Sequence, residues 1–90
     1  MDLTQARNTI DALDQEITLL LSRRFAVVDK VSDYKAEHGL PIHDPARESL
    51  IISHLKANLN EAFREDVAAV YQCLFEISRA RQTRRQKVAD

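Results

Sequence analysis

One glycine, two prolines and no tryptophan in 90 residues leave the chain few of the residues that make tight turns. The rest is rich in Leu, Ile, Val, Ala, Glu, Arg and Lys, the profile of helices joined by few connections, an all-α fold. The length excludes a second core, so residues 1–90 are expected to form one domain. Charge of neither sign is in excess: 13 Lys and Arg face 14 Asp and Glu, a formal net charge of −1. The whole-molecule field therefore gives no reason to expect nucleic acid or an anionic membrane as partner, and any ligand must be held by a local site. With a single cysteine, Cys73, no internal disulfide can form. No charged-then-apolar leader precedes the first helical pattern, as expected of a cytoplasmic protein. The apolar stretch around residues 17–21, like every other in the sequence, falls far short of the roughly 20 residues that span a bilayer.

What is present is periodic. Between Leu3 and His38 there is neither glycine nor proline, and Ile10, Leu13, Ile17, Leu20, Val27, Val31 and Tyr34 recur at helical spacing. They mark one face of a single helix of about 35 residues. Asp2 or Thr4 is placed to cap it, and Gly39 followed by Pro41 to stop it. Asp44 directly before Pro45 is an N-cap followed by the residue best tolerated at the first helical position. A second helix begins there and buries Ile51, Ile52, Leu55 and Leu59, and the polar stretch 58–61 predicts a turn. A third helix follows from about Glu61 or Phe63, with Val67, Val70, Leu74 and Ile77 on its inner face and a charged tail from Arg79 onward.

At about 1.5 Å per residue the first helix is on the order of 50 Å long, against a radius of gyration of about 12 Å for a compact monomer of this size. Two shorter helices cannot cover it. Because the apolar stripe runs its whole length, the remainder is expected to be buried by a second copy in an intertwined two-fold homodimer.

Charges interrupt this pattern. The stripe leads from Leu20 through position 24 to Val27, and position 24 is Arg24. Lys35 lies 11 residues further on, close to three helical turns, and projects from nearly the same face roughly 16 Å along the axis. Cations buried without partners cost several kcal/mol each, so either an anion sits against them or their long stems carry them to water. Asp44, Arg47 and Glu48 share one side of the second helix's first turn, a constellation that a cap and a solvated ion pair would equally explain. Ser78 and Gln82 continue the line of Leu74 where the apolar residues give out, either as polar groups facing a cavity or as a helix end that turns polar. Arg7 lies 17 positions before Arg24 on the same straight helix, roughly 25 Å away, and cannot reach the same small ligand within its own subunit. A two-fold axis crossing near Thr18 would bring Arg7 of a second copy beside residues 24–35.

Taken in order, R-x-x-I-D-x-L-D at 7–14, L-L-x-R-R at 20–24, Lys35, D-x-x-R-E at 44–48 and S-x-x-x-Q at 78–82 form a set that resembles the all-helical chorismate mutases, found alone or fused at the start of bifunctional prephenate enzymes. The resemblance covers nearly the whole chain, with a slightly shorter turn between the second and third helices. It implies a homodimer of three-helix subunits with two active sites, an isomerase converting chorismate to prephenate on the way to phenylalanine and tyrosine, without cofactor or metal. By the same resemblance Arg24 and Arg7 of the partner subunit clamp the substrate carboxylates with Arg47 and Ser78 assisting. Lys35 and Gln82 stabilise the ether oxygen, and Glu48 with the backbone amide of Asp44 holds the ring hydroxyl. These residue types suit a Claisen-type rearrangement, which needs conformation and charge stabilisation rather than a nucleophile, metal or proton relay.

Two other functions fit parts of the pattern. A pyruvate lyase acting on isochorismate is similar in fold and also uses arginines and a lysine, but Asp44, Glu48 and Ser78, which handle the hydroxyl and ring carboxylate in the mutases, favour the mutase. A non-catalytic helical dimer or regulatory module would set the tail arginines Arg79, Arg81, Arg84 and Arg85 against an acidic surface. Those cations read more simply as a solvated helix end that suits the dipole. His38, His43 and His54 have no ligand spacing, so no metal site is expected. Cys73 reads as a small packing residue, and Phe25, Tyr34, Phe63, Tyr71 and Phe75 as core or dimer packing.

Overall fold

The computed structural model describes residues 2–89, which form three helices: α1 (Leu3–Glu37), α2 (Pro45–Asn58) and α3 (Glu61–Ala89). Local chemistry sets their ends. The Asp2 carboxylate accepts from the Gln5 amide at 2.8 Å while the Gln5 side chain accepts from the Asp2 amide at 3.2 Å, a reciprocal box that satisfies two orphan donors at the start of α1. At its other end Gly39 takes φ +64°, and the Leu40 amide donates back to the Lys35 carbonyl at 2.9 Å, closing the last turn. A Cβ at Gly39 would meet nothing within 4 Å, so the requirement is for left-handed backbone and not for space. Asp44 caps α2 by accepting from the Arg47 amide at 3.1 Å, with Pro45 just inside. This cap places Arg47 and Glu48 on the first turn of α2.

α3 packs on both other helices, which do not pack on each other. The chain measures 53 × 27 × 15 Å with a radius of gyration of 16.3 Å, well above the roughly 12 Å of a compact chain of this length. Its apolar core is correspondingly small: Ala68, Leu74 and Phe75 are buried, together with the polar Ser32, Ser78 and Gln82. Among the described residues no helix is long and apolar enough to cross a membrane.

Two faces differ from the sequence reading. The α1 stripe from Ile10 to Tyr34 is open along its length, with Ile17 still 52% exposed, and α3 instead covers the neighbouring face through Leu21, Arg24, Phe25, Val28 and Ser32. On α3, Leu74 is buried and Val67 half-buried as expected, but Val70 is 59% and Ile77 46% exposed. The physical reason lies in the α1–α3 contact, which is made by small and polar groups that hydropathy does not weigh. Ser32 is fully buried, donating to the Gln82 carbonyl at 3.3 Å while Gln86 donates to the Ser32 carbonyl at 3.1 Å. Cys73 is exposed and is no packing residue within this chain, and Tyr34 and Phe63 are exposed as well.

The arginine tail is also more than a solvated end. Arg81 donates to both oxygens of Asp29 at 2.8 Å, and Arg85 does the same to Asp33 at 2.8 and 2.9 Å. The donors and acceptors are each spaced one turn apart, so two parallel forks fasten α3 to α1. Hydrogen bonds from these arginines hold both carboxyls below the usual aspartate range.

Candidate active site

A cavity of about 260 Å³ opens where the second half of α1, the start of α2 and the second half of α3 meet. Its walls follow from helical spacing. Arg24, Val28, Val31 and Lys35 lie on one face of α1, Phe75, Ser78, Arg79 and Gln82 on one face of α3, and Asp44, Arg47, Glu48 and Ile51 on the first two turns of α2. Every residue singled out from the sequence as a binding or catalytic candidate lines this cavity except Arg7. Arg7 is exposed on the first turns of α1, roughly 25 Å from Arg24 along the axis.

The polar groups are tied to one another before any ligand arrives. Arg24 donates through Nη1 to Ser78 Oγ at 3.1 Å, and its guanidinium lies over the Tyr71 ring, 5.8 Å from the centroid. These contacts aim a planar fork without neutralising it. Lys35 Nζ donates to the Ile42 carbonyl at 2.8 Å and to Gln82 Oε1 at 3.2 Å. With its oxygen turned to the lysine, Gln82 keeps its amide donors for other partners. Ser78 and Gln82 are therefore buried polar groups facing a cavity and not a helix end that has merely turned polar.

Charge in the cavity is unbalanced. Four cations, Arg24, Lys35, Arg47 and Arg79, line it with two carboxylates, Asp44 and Glu48. Both carboxylates are engaged: Asp44 caps α2, and Glu48 accepts from Arg79 Nη1 at 2.7 and 2.6 Å. Among the described residues Arg24, Lys35 and Arg47 pair with no carboxylate. The half-buried Arg24, Lys35 and Arg79 and the exposed Arg47, set around Val28, Val31, Ile51 and Phe75, are an arrangement that takes up a small anion with an apolar body.

Arg79 is the site residue that sequence reasoning missed. In the sequence it reads as one of the tail arginines, although it lies beside Ser78 and three positions before Gln82, the spacing that puts 79 and 82 on neighbouring parts of one face. His43 also approaches, with Nε2 3.8 Å from Glu48 Oε1. No group of three or more His, Cys, Asp or Glu side chains that could hold a metal ion occurs among the described residues.

Residues 6–83 match the family model for chorismate mutase type II. The chain belongs to that family. The chorismate mutase of Methanocaldococcus jannaschii is 29% identical over 82 residues, covering 89% of this chain and 83% of that protein. A T-protein of Haemophilus influenzae is 39% identical over 67 residues, 74% of this chain but only 17% of its own length. The bifunctional chorismate mutase/prephenate dehydratase of Aquifex aeolicus is 35% identical over 54 residues, 60% of this chain and 15% of its own. The chain thus spans a small part of the longer relatives it matches and most of the archaeal chorismate mutase. No solved structure matches it. The all-helical architecture expected from the sequence is the one observed, three helices with no strand among the described residues.

Proposed function

We propose that the protein is a chorismate mutase, an isomerase that converts chorismate to prephenate as a homodimer in phenylalanine and tyrosine biosynthesis. The observation that carries this reading is the trio Arg24, Lys35 and Arg47 around one small cavity without carboxylate partners among the described residues, and family membership agrees with it. Chorismate is a flexible dianion. Its enolpyruvyl arm must fold over the ring before the ether C–O bond breaks and the new C–C bond forms, and arginine forks can hold both carboxylates in that posture.

In this mechanism Arg24, braced on Ser78, takes one carboxylate and Arg7 of a second copy the other, with Arg47 and Ser78 assisting. The breaking bond leaves negative charge on the ether oxygen, where the Lys35 ammonium and the Gln82 amide donate. Both donors are held before the reaction, so they stabilise charge as it develops without first reorganising. The Glu48 carboxylate accepts from the ring hydroxyl, and the Asp44 amide donates to it. Electrons shift within a single molecule, so this route calls on no cofactor, nucleophile or proton relay.

The test is direct. Incubated with chorismate, the purified protein should consume it and release prephenate. A protein that left chorismate intact but released pyruvate and salicylate from isochorismate would be a lyase, and the proposal would fail.

A further inference from the structure

Glu48 presents a difficulty. It stands in the wall of a cavity that must admit a dianion, and its side chain is only 22% exposed, so its own negative charge is poorly screened by water. The structure supplies an answer from another helix. Arg79 of α3 reaches across to α2, and a single nitrogen, Nη1, donates to both Glu48 oxygens at 2.7 and 2.6 Å. Nε and Nη2 of the same guanidinium make no hydrogen bond among the described residues. Among the described residues His43 is the only other cation-capable group within 4 Å of this carboxylate, at 3.8 Å and on a well-exposed side chain.

From this geometry we infer that Arg79 is a positioning residue. It fixes the Glu48 carboxylate at the cavity wall and offsets its charge, so that a hydroxyl acceptor and a dianionic substrate can share one site. The inference rests on the mutase reading above and deepens it. Arg79 acts through Glu48 and does not itself grip the substrate. Two features support that division. The donor atom is spent on Glu48 at charge-assisted distances, and the pair joins α2 to α3 directly beside Ser78 and Gln82, so the carboxylate is referenced to the helix that carries the other polar groups.

The expected kinetic signature is specific. The carboxylates of the substrate keep their charge throughout the rearrangement, so an uncompensated Glu48 opposes ground state and transition state alike. That is a loss of uniform binding, which raises KM and spares kcat. In Arg79→Ala, KM for chorismate should rise about tenfold while kcat stays within about threefold of wild type. Arg79→Lys, which restores the charge, should recover most of the loss, and a melting curve checks that each variant is folded.

The decisive experiment is a double-mutant cycle with Glu48→Gln, which removes the charge to be compensated while keeping the shape. In that background Arg79→Ala should change KM by less than about threefold. A change of threefold or more there would make Arg79 a direct ligand and overturn the inference, as would a rise in KM of less than threefold in the single variant. Wild-type protein measured alongside separates the two levels. If it does not turn over chorismate, the mutase reading falls and this assignment with it; if it does, only the role of Arg79 is at stake.

Discussion

Residues 21–37 of α1 lie against α3 and carry one wall of the cavity, whereas between residues 2 and 20 only Ala6 is even partly covered. Both halves carry apolar residues at the same spacing. In the covered half the face toward α3 is mixed, with Arg24, Asp29, Ser32 and Lys35 each held by a named partner on α3. In the open half Ile10, Leu13 and Ile17 are each about half exposed. An exposed apolar stripe of that length marks an interaction surface, and Arg7 stands at its far end. On the proposed reading, the covered half builds a site and the open half completes one in a second copy of the chain.

The comparison breaks hardest in the covered half. Arg24→Ala or Lys35→Ala should each remove about 3 kcal/mol or more of transition-state stabilisation, a loss of at least about a hundredfold in kcat/KM. Steady-state turnover of chorismate checks it, and wild-type rates in Arg24→Ala would undo the site assignment. Next comes the open half. Ile17→Glu places a charge in the middle of the uncovered stripe, and it should yield a monomer by sedimentation with turnover down at least about tenfold at low protein concentration, recovering as concentration rises. A fully active monomer would show that the open half serves no other copy.

Smaller effects sharpen the picture. Gln82→Glu should move the activity optimum to acid pH, because a carboxyl donates to the ether oxygen only while protonated, whereas the amide donates at any ordinary pH. An unshifted profile would remove Gln82 from that role. The smallest effect concerns the forks that join the covered half to α3. Arg81 and Arg85 lower the folded-state pKa of Asp29 and Asp33, so their contribution to stability is complete above the unfolded aspartate value of about 3.9 and fades as pH falls through the lower folded values. The Asp29→Asn, Asp33→Asn double variant should therefore melt at a temperature that falls less steeply below about pH 4 than that of wild type. Parallel curves would mean that the forks add nothing measurable.

Helix limits were readable because their chemistry is local: Asp2 with Gln5, Gly39 before Pro41, and Asp44 before Pro45 each act within a few residues. The site was readable in part for the same reason. Arg24 and Lys35 stand out as cations on an apolar face, while the 44–48 and 78–82 groups recur at helical intervals. What stayed hidden depends on contacts between helices. The inner face of α3 uses Ala68, Ser78 and Gln82, whose small or polar side chains leave no hydrophobic period, so spacing puts Val70 and Ile77 on the inner face although they lie open. The partner of Arg79 is 31 residues away on α2, and the partners of Asp29 and Asp33 are 52 residues away on α3, separations that no local spacing can encode. A cation near the end of a helix looks the same whether it faces water or a carboxylate.

The central claim is that each site takes Arg24 from one copy and Arg7 from another, and mixing tests it most directly. Arg7→Ala and Arg24→Ala proteins should each be nearly inactive alone. When the two are unfolded together and refolded at equal concentration, random pairing puts an intact site into half of the dimers, so about a quarter of wild-type prephenate formation should return. A mixture no more active than its two components, from chains shown to have exchanged partners, would contradict the account.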